Sequence, residues 1–470
     1  MKIVLTHGYF LNEDPAELRI MKPYPPLGIL YISSYLNEKG IENKIFDTTF
    51  SSKDNLKKFL IDEKPDFVAI YVNLMTKLNV LDIIRFIKST DELFSTKIIL
   101  GGPEVRYNAT DFLQYGADYV VIGEGEETTY ELITYLSQSG NKDLNQVLSI
   151  GYIKENGEIF FTSERTLIKN IDELPFPNRV GINIKEYQDA WKKKHNQDAV
   201  SISTMRGCPY TCKWCSRAVY GLTYRRRSPE KVVEEMKLIK ESYNPDSIWF
   251  VDDVFTISHK WLFEFNKQLK KNSLKINYEC ITRADRMNEE VVSVMKDSGC
   301  YRVWIGAESG SQKIINAMDR RVKVDQVREM IQLTKKYAIE AGTFIMLGYP
   351  GETEKDIEET IKHLKQSNPD QFTITVAYPI KGTEFYQEIE ANQTEVFNWD
   401  GNTDRDRNYK RTYPRKYYNF AVRHVVNEVN YFKNRNNGNI NPDLIISKSK
   451  SLAAKAGMWL IRNTKWLNSN

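Results

Sequence analysis

Three cysteines stand within eight residues of this chain: Cys208, Cys212 and Cys215. The other two, Cys280 and Cys300, are far from them in sequence. A tetrahedral zinc site needs a second close pair of Cys or His ligands, and none follows at a suitable distance. A disulfide framework needs an even number of cysteines in a secreted chain, and this chain has five. Three thiolates on one short loop instead suit a [4Fe–4S] cluster that leaves one iron open to a substrate.

Composition places the chain among globular proteins. Hydrophobic residues make up 41% and aromatic residues 12% of its 470 positions, a length at which we expect two or three domains. The start, Met-Lys-Ile-Val-Leu-Thr-His-Gly, predicts a strand and a turn rather than a secretory signal. No apolar run approaches the roughly 20 residues that span a bilayer. Together with the few cysteines, these features favour a reducing cytoplasm.

The net charge of +4 is unevenly distributed. Residues 401–470 hold 14 Lys and Arg against 4 Asp and Glu, a net of +10, so the first 400 residues carry about −6 because 4 − 10 = −6. A basic tail of this kind can meet nucleic acid, anionic lipid or an anionic substrate. It can equally be a solvated basic face.

The first 140 residues alternate apolar runs with helical patterns, which is typical of a parallel sheet with crossover helices. The predicted strands are 2–6, 43–47, 66–71, 97–100 and 118–122, and the predicted helices are 27–38, 53–61, 80–88 and 126–137. This order predicts a doubly wound α/β domain, whose ligands lie beyond the carboxyl ends of the strands. Those ends carry His7-Gly8, Gly101-Gly102 and Gly123-Glu124-Gly125-Glu126. Glycines there would let the backbone approach a large ligand closely.

A second α/β block begins at Ala199, after a predicted hairpin over 150–162 with a two-residue turn at Asn156-Gly157, and an extended linker over 174–178. Its predicted strands are 200–204, 247–251, 276–281, 302–306, 343–347 and 372–376. The clearest helix is 229–242, with Ser228 as N-cap and Pro229 in the first turn. Six β/α units are too few for an eight-fold barrel, so we predict an open partial barrel. The cysteine loop follows its first strand, at the carboxyl-end face where barrel enzymes have their active sites.

The loop Cys-Pro-Tyr-Thr-Cys-Lys-Trp-Cys has Cys-x3-Cys-x2-Cys spacing with Trp214 before the last cysteine, and it resembles the radical S-adenosylmethionine (SAM) superfamily. The resemblance implies that Cys208, Cys212 and Cys215 ligate a [4Fe–4S] cluster whose fourth iron chelates the amino and carboxylate groups of SAM, with Trp214 beside it. It also implies an electron donor such as flavodoxin or ferredoxin. Reduction would cleave SAM to methionine and a 5′-deoxyadenosyl radical, which abstracts an unactivated hydrogen. The protein positions the cofactor for this step.

Further strand ends fit the same resemblance. The segment Gly-Ala-Glu-Ser-Gly at 306–310 stands where the family holds the amino group of SAM, which implies contacts from Gly306, Glu308 and Ser309. Glu308 can accept charge-assisted hydrogen bonds from that ammonium, or can complement a helix dipole. Asp252 and Arg283, after the second and third strands, could reach the SAM ribose or carboxylate or pair with each other.

Two remaining features of the second block have simpler interpretations. The glycines of Gly-Tyr-Pro-Gly-Glu-Thr at 348–353 suit close approach to the adenosine of SAM, or a plain loop-to-helix turn. Cys280 and Cys300 adjoin apolar strands, so we interpret them as buried small hydrophobic residues.

The first 140 residues resemble the cobalamin-binding domain of radical SAM enzymes. The motifs that carry this resemblance are Pro-Pro-Leu-Gly at 25–28, Gly-Gly-Pro-Glu at 101–104 and Gly-Glu-Gly-Glu at 123–126. They imply that cobalamin lies at these strand ends. The residues assigned to it are His7, Tyr71, Asn73, Gly101, Gly102, Gly123, Glu124 and Gly125.

One loop departs from that family. Many cobalamin domains carry Asp-x-His-x-x-Gly after the first strand, and its histidine is the lower cobalt ligand. Here the loop reads His-Gly-Tyr-Phe-Leu-Asn over 7–12, so cobalt would lack a motif histidine. His7 is then either a cobalamin contact or an ordinary loop histidine. Loss of cobalamin, leaving a relic domain, is the alternative.

The tail differs in residue composition from both domains. Residues 411–418, Arg-Thr-Tyr-Pro-Arg-Lys-Tyr-Tyr, resemble a segment of anaerobic porphyrin-ring cyclases and related cobalamin–SAM enzymes. Residues 452–467 show helical spacing of apolar residues, namely Leu452, Ala456, Trp459 and Trp466, with Lys455, Arg462 and Lys465 between them. Such a helix could cover the barrel or make peripheral contact with a membrane surface.

The sequence thus predicts an α/β protein with a Rossmann-like cobalamin-binding domain (1–140), a linker with a β-hairpin (141–195), a partial (β/α)6 radical SAM barrel of TIM type (196–385) and a basic, mainly helical region (386–470). The resemblance implies a cobalamin-dependent enzyme that methylates an unactivated carbon of a small hydrophobic or natural-product substrate. Ring-cyclase-type oxidation or rearrangement is the alternative. An RNA-modifying radical enzyme is a further alternative, but no recognised RNA module accompanies the tail, so nucleic acid is not the expected partner.

Overall fold

The computed structural model describes residues 1–138, 143–390, 397–436 and 442–463. The chain forms two compact units. The first comprises Met1–Pro209, Ser216–Trp249 and Phe397–Asp406, and the second Tyr210–Cys215, Phe250–Val396 and Arg407–Asn470. Among the described residues, no helix is both long and apolar enough to cross a membrane.

A seven-stranded sheet forms the centre of the first unit. Its strands are β1 (Ile3–His7), β2 (Lys44–Phe46), β3 (Phe67–Tyr71), β4 (Lys97–Gly101), β5 (Tyr119–Val121), β6 (Ile150–Ile153) and β7 (Ile159–Phe161). They lie in the order β2-β1-β3-β4-β5-β6-β7, and β1 to β5 pair in parallel. This confirms the predicted doubly wound topology, in which the order reverses beside β1 and places ligands at the carboxyl ends.

Helices cover both faces of this sheet. They are α1 (Pro15–Ile20), α2 (Leu27–Glu38), α3 (Lys53–Glu63), α4 (Lys77–Ser89), α5 (Val105–Tyr115) and α6 (Glu126–Ser137). Because side chains alternate along a strand, Val4 packs into one apolar core while Ile3 and Leu5 pack into the other. Burial on both faces explains why β1 reads as a continuous apolar run.

The predicted hairpin is present, but its turn differs from the prediction. The strands β6 and β7 pair antiparallel and extend the first sheet beyond β5. The Gly157 N–H donates to the Lys154 carbonyl over 2.9 Å, and the Lys154 N–H donates to the Glu158 carbonyl over 2.9 Å. The loop therefore has three residues, and the predicted two-residue turn was wrong. Gly157 takes the left-handed conformation (φ 84°) that this longer turn requires at its last position.

Six strands form the second sheet, as predicted. The strands that follow β7 are β8 (Ala199–Ile202), β9 (Met205–Arg206), β10 (Arg225–Arg226), β11 (Ser247–Phe250), β12 (Asn277–Thr282), β13 (Cys300–Glu308), β14 (Glu340–Leu347) and β15 (Gln371–Val376). The sheet order is β15-β14-β13-β12-β11-β8, and β12 to β15 pair in parallel. Strands β9 and β10 form a separate antiparallel pair at the two ends of the cysteine loop.

Among the described residues, ten further α-helices follow the hairpin. They are α7 (Ile184–His195), α8 (Pro229–Tyr243), α9 (His259–Lys271), α10 (Glu289–Asp297), α11 (Gln312–Ala317), α12 (Val324–Lys336), α13 (Glu354–Ser367), α14 (Glu384–Glu390), α15 (Arg415–Asn436) and α16 (Pro442–Asn463). The predicted cap of α8 is confirmed, because the Ser228 hydroxyl accepts the Lys231 N–H over 3.3 Å and Pro229 opens the helix.

The last helix, α16, packs through a different face from the one its spacing predicts. Leu452 and Trp459, on the predicted apolar face, are 57% and 64% exposed. The buried face consists of Ser451, Ala454, Gly457, Met458 and Ile461. Small residues allow close approach to α15: a Cβ on Gly457 would lie 2.5 Å from the ring of Phe420. The predicted Lys465 and Trp466 lie outside the described residues.

Candidate cofactor sites

The cysteine loop runs between β9 and β10. Cys208 and Cys212 are buried and Cys215 is half-buried, and no disulfide joins any of the five cysteines. Among the described residues, no three His, Cys, Asp or Glu side chains gather closely enough to hold a single metal ion. A cube of four irons is wider than one ion, so its three thiolates need not converge on a point.

Two buried guanidinium groups contact the sulfur of Cys212. Nη1 of Arg283 and Nη1 of Arg320 each lie 3.6 Å from Cys212 Sγ. Arg283 is 1% and Arg320 8% exposed. Buried cations need anionic or hydrogen-bonding partners. The surroundings of Cys212 therefore fit a thiolate ligand of an iron–sulfur cluster.

Arg283 is held in place by every part of its guanidinium group. Its Nε donates to Asp285 Oδ1 over 2.8 Å, and its Nη2 donates to the Arg320 carbonyl over 2.7 Å. The guanidinium carbon lies 3.9 Å from the ring centroid of Tyr210. The sequence placed Arg283 near SAM, and the structure places it against Cys212 of the cysteine loop.

Asp252, the other strand-end residue assigned to SAM, is 2% exposed directly after β11. Burial and then the neighbouring charge of Asp252 raise the pKa of Asp253. The two adjacent carboxyl groups at this strand end therefore repel each other when both are ionised.

Glu308 ends β13 as a half-buried acid. Its φ of 64° is left-handed, and its Oε1 lies 3.8 Å from Nη2 of Arg320. Burial raises the pKa of Glu308, and the positive charges of Arg320 and Arg283 offset part of that effect. A second cation, such as an ammonium group, would stabilise this carboxylate further.

Gly306 leaves room for the arginine that faces Glu308. A Cβ at this position would lie 2.3 Å from Nη2 of Arg320. The same Nη2 donates to the Gly306 carbonyl over 3.2 Å. The glycine is therefore required here by close approach of a side chain.

Two other residues assigned to SAM make contacts within the protein. The Ser309 hydroxyl accepts the Ser311 N–H over 3.1 Å and lies 3.3 Å from Oγ1 of Thr360 on α13. Trp214 packs against an apolar cluster that includes Ile314. These contacts fix the glycine–acid segment and the cysteine loop, and a SAM contact of either residue stays a prediction.

Sequence reasoning missed Arg320. It follows α11 in a short loop rather than a strand end, and its neighbours Asp319 and Arg321 both have left-handed backbones (φ 50° and 56°). No sequence motif marks such a position, because the turn and the strand it faces come together only in the folded chain.

At the end of β4, Gly101 borders open space and Gly102 is closely packed. A Cβ on Gly101 would meet no atom within 4 Å. Gly102 has φ 111°, and a Cβ there would lie 2.4 Å from the Val72 carbonyl oxygen and 3.0 Å from the ring of Tyr71. Burial raises the pKa of Tyr71. An open backbone edge beside an aromatic ring fits a bulky cofactor at the predicted cobalamin position.

The remaining loops of this edge are fixed locally. The Asn73 Oδ1 accepts the Met75 and Thr76 N–H groups and so shapes the turn into α4. Gly123 has φ 90°, which suits glycine, and a Cβ on Gly125 would lie 3.1 Å from the Ile32 side chain.

His7 has both ring nitrogens engaged inside the first unit. Its Nδ1 accepts the Tyr9 N–H over 3.1 Å, and its Nε2 lies 2.9 Å from Asp47 Oδ1. The Tyr187 hydroxyl donates to the other oxygen of Asp47 over 2.7 Å. His7 is 3% exposed. Because cobalt binds a single ring nitrogen, service as a cobalt ligand would require one of these hydrogen bonds to break.

Glu124 is the centre of a buried ion network. Its carboxylate lies 2.7 Å from Nη1 of Arg206 and 2.8 Å from Nη1 of Arg225, and it accepts the Ile168 N–H over 2.8 Å. Arg206 also pairs with Glu126. Glu124, predicted as a cobalamin contact, thus joins the end of β5 to the β9–β10 pair.

Glu352 is a fully buried acid just after β14. Its Oε2 accepts the Gly348 N–H, and no donor among the described residues reaches its Oε1. Burial raises the pKa of Glu352 from 4.5 to about 8. The folded chain therefore holds this proton where the unfolded chain has lost it, and folding stability falls as pH rises through that window.

We expect Glu352→Gln, which mimics the protonated acid, to remove this loss. At about pH 9 the variant should be a few kcal/mol more stable than the wild type in urea unfolding, because the wild type must then keep a proton or bury a charge. At about pH 4, where the acid is largely neutral in both the folded and the unfolded chain, the two should unfold alike. A difference that is the same at both pH values would contradict the burial argument.

Two family matches coincide with these sites. Residues 202–364 match the radical SAM superfamily, and residues 19–133 match the B12 binding domain. The first range contains all three loop cysteines with Arg283, Glu308 and Arg320, and the second contains Gly101 and Gly102.

Relatives share most of the chain. An uncharacterized methyltransferase of Pyrococcus horikoshii is 31% identical over 80% of this chain and 81% of its own length. The anaerobic magnesium-protoporphyrin IX monomethyl ester cyclase of Rubrivivax gelatinosus is 25% identical over 85% of this chain and 72% of its own. The hopanoid C-3 methylase of Methylococcus capsulatus is 26% identical over 82% and 72%.

A solved structure shares the fold. The cobalamin-dependent SAM radical enzyme OxsB, with aqua-cobalamin and SAM bound, superposes with a TM-score of 0.72 at 18% identity, covering 98% of this chain and 72% of that one. The chain belongs to the radical SAM superfamily and carries a B12-binding domain. Its cofactors are accordingly a [4Fe–4S] cluster, SAM and cobalamin.

Proposed function

We propose that this protein is a cobalamin-dependent radical SAM methyltransferase that methylates an unactivated carbon of a small hydrophobic or natural-product substrate. The observation that carries the proposal is the sulfur of Cys212 between two buried guanidinium groups, in a chain that also has an open glycine edge in a B12-binding domain. The methyltransferase names of the Pyrococcus and Methylococcus relatives support the reaction class.

Residues 196–385 would bind the cluster and SAM, and residues 1–140 would bind cobalamin. Cys208, Cys212 and Cys215 would hold the cluster as thiolates. One SAM molecule, cleaved at the cluster, would supply the radical that the reaction consumes. A second SAM molecule would supply the methyl group through cobalamin. The products would be methylated substrate, methionine, 5′-deoxyadenosine and S-adenosylhomocysteine, with two electrons per turnover from a flavodoxin- or ferredoxin-type donor in the cytoplasm.

The protein's own residues would position these groups. Glu308 would accept hydrogen bonds from the SAM ammonium, whose charge relieves the cost of burying the carboxylate. Gly101 and Gly102 would let cobalamin lie against the backbone at the end of β4. His7 keeps its contacts with Tyr9 and Asp47, so this chain would offer no histidine from that loop to cobalt.

The test does not need the substrate. Reduced protein loaded with cluster and cobalamin is incubated with SAM, and S-adenosylhomocysteine and 5′-deoxyadenosine are measured. We expect S-adenosylhomocysteine in an amount comparable to the bound cobalamin, and none when cobalamin is omitted, because cobalamin is the methyl acceptor. Formation of 5′-deoxyadenosine alone would contradict methylation.

That contrary outcome would favour the second candidate, an oxidation or rearrangement of the ring-cyclase type. Its support is the Rubrivivax cyclase, which matches 85% of this chain. Both functions use the same cluster loop, so the S-adenosylhomocysteine measurement separates them.

A further inference from the structure

The two guanidinium groups at Cys212 differ in how their charges are balanced. Arg283 has a close carboxylate partner, Asp285 Oδ1, at 2.8 Å. The nearest carboxylate oxygen to Arg320 is Glu308 Oε1, at 3.8 Å, and Arg320 Nε has no acceptor among the described residues. The charge of Arg320 is therefore the less neutralised of the two at the cysteine sulfur.

The position of Arg320 is enforced by the strand that it crosses. Its Nη2 donates to the Gly306 carbonyl over 3.2 Å, and a Cβ at 306 would lie 2.3 Å from it, so a larger residue would displace the end of this side chain. Its guanidinium carbon lies 5.9 Å from the centre of the Trp214 ring. The charge is thus fixed and almost without water, where its electrostatic effect is weakly screened.

We propose that Arg320 is a positioning residue that raises the reduction potential of the cluster held by Cys212. The inference rests on the proposed function, since it assumes that Cys212 is a cluster ligand. One electron from the external donor makes the cluster more negative by one charge, with no proton transferred. A fixed cation beside a ligand sulfur stabilises that reduced state more than the oxidised one.

The test compares Arg320→Met with Arg321→Met by EPR-monitored redox titration of the reconstituted protein without SAM. Both variants lose one positive charge at adjacent positions, but Arg321 is 70% exposed and pairs with Asp319. We expect Arg320→Met to raise the ratio of oxidised to reduced cluster about tenfold. This lowers the reduction potential by about 59 mV for a one-electron couple. Arg321→Met should shift it far less, because water screens the lost charge.

A second variant moves Arg320 without removing it. In Gly306→Ala the added methyl group would lie 2.3 Å from Nη2, so the flexible end of Arg320 has to shift away and the potential should fall toward that of Arg320→Met. If Arg320→Met fails to hold a cluster, the reduction potential of Gly306→Ala tests the proposal instead. Arg320→Lys, which keeps a cation, should recover part of the potential.

The outcomes separate this inference from the proposed function. A wild type without a [4Fe–4S] cluster would remove the proposed function and this inference with it. A wild type that cleaves SAM, beside cluster-loaded Arg320→Met or Gly306→Ala with an unchanged potential, would overturn this inference alone. Equal shifts in Arg320→Met and Arg321→Met would also overturn it, because they would reflect net charge rather than contact with Cys212.

Discussion

Replacing Cys212 with alanine should abolish SAM cleavage, so that 5′-deoxyadenosine formation falls to the level of protein without a cluster. Two remaining cysteines leave a second iron without a protein ligand, and the substitution also leaves Arg283 and Arg320 without an anionic sulfur at 3.6 Å. Iron and sulfide content, the EPR signal of the reduced protein and 5′-deoxyadenosine measure the result.

A matched control is Cys280→Ala in β12. Cys280 is fully buried in the same unit as Cys212 but lies outside the loop. We expect a stability loss of about 1 kcal/mol with the cluster and SAM cleavage retained. Retained cleavage in Cys212→Ala, or equal losses in both variants, would contradict the assignment of the loop cysteine as a ligand.

The second large effect concerns the stability of the first unit. Glu124→Gln should lower the free energy of unfolding by about 3 kcal/mol, because Arg225 loses its carboxylate partner while Arg206 keeps only Glu126. The urea midpoint of the apoprotein measures this loss. Since Glu124 faces its arginine partners, the loss should be present without any cofactor.

Glu127→Gln is the matched control for that substitution. Glu127 lies three residues away, pairs with Arg165 at 3.2 Å and is 40% exposed. Water screens this pair, and Arg165 keeps Glu131 as a second partner, so we expect a loss below about 1 kcal/mol. A Glu124→Gln midpoint as little changed as that of the control would contradict a structural role for the network.

The sheets followed directly from the sequence pattern. Strands such as β1, β3 and β14 are apolar on both faces and are separated by amphipathic helices, so their order could be predicted within a few residues. The hairpin turn was predicted less well, since Asn-Gly suits both a two-residue and a three-residue loop. The packing face of α16 was predicted wrongly, because close helix packing selected Gly457 over Trp459.

By itself, the sequence determined the cluster loop, the fold class and the strand ends that carry glycine, because these depend on residues close together in the chain. Only the tertiary structure decided the roles of charged side chains. It placed Arg283 and Arg320 on Cys212, and it used Glu124 and His7 for contacts within the protein. The physical reason is that a buried charge must find its partner in three dimensions, and the partners here lie tens of residues away along the chain.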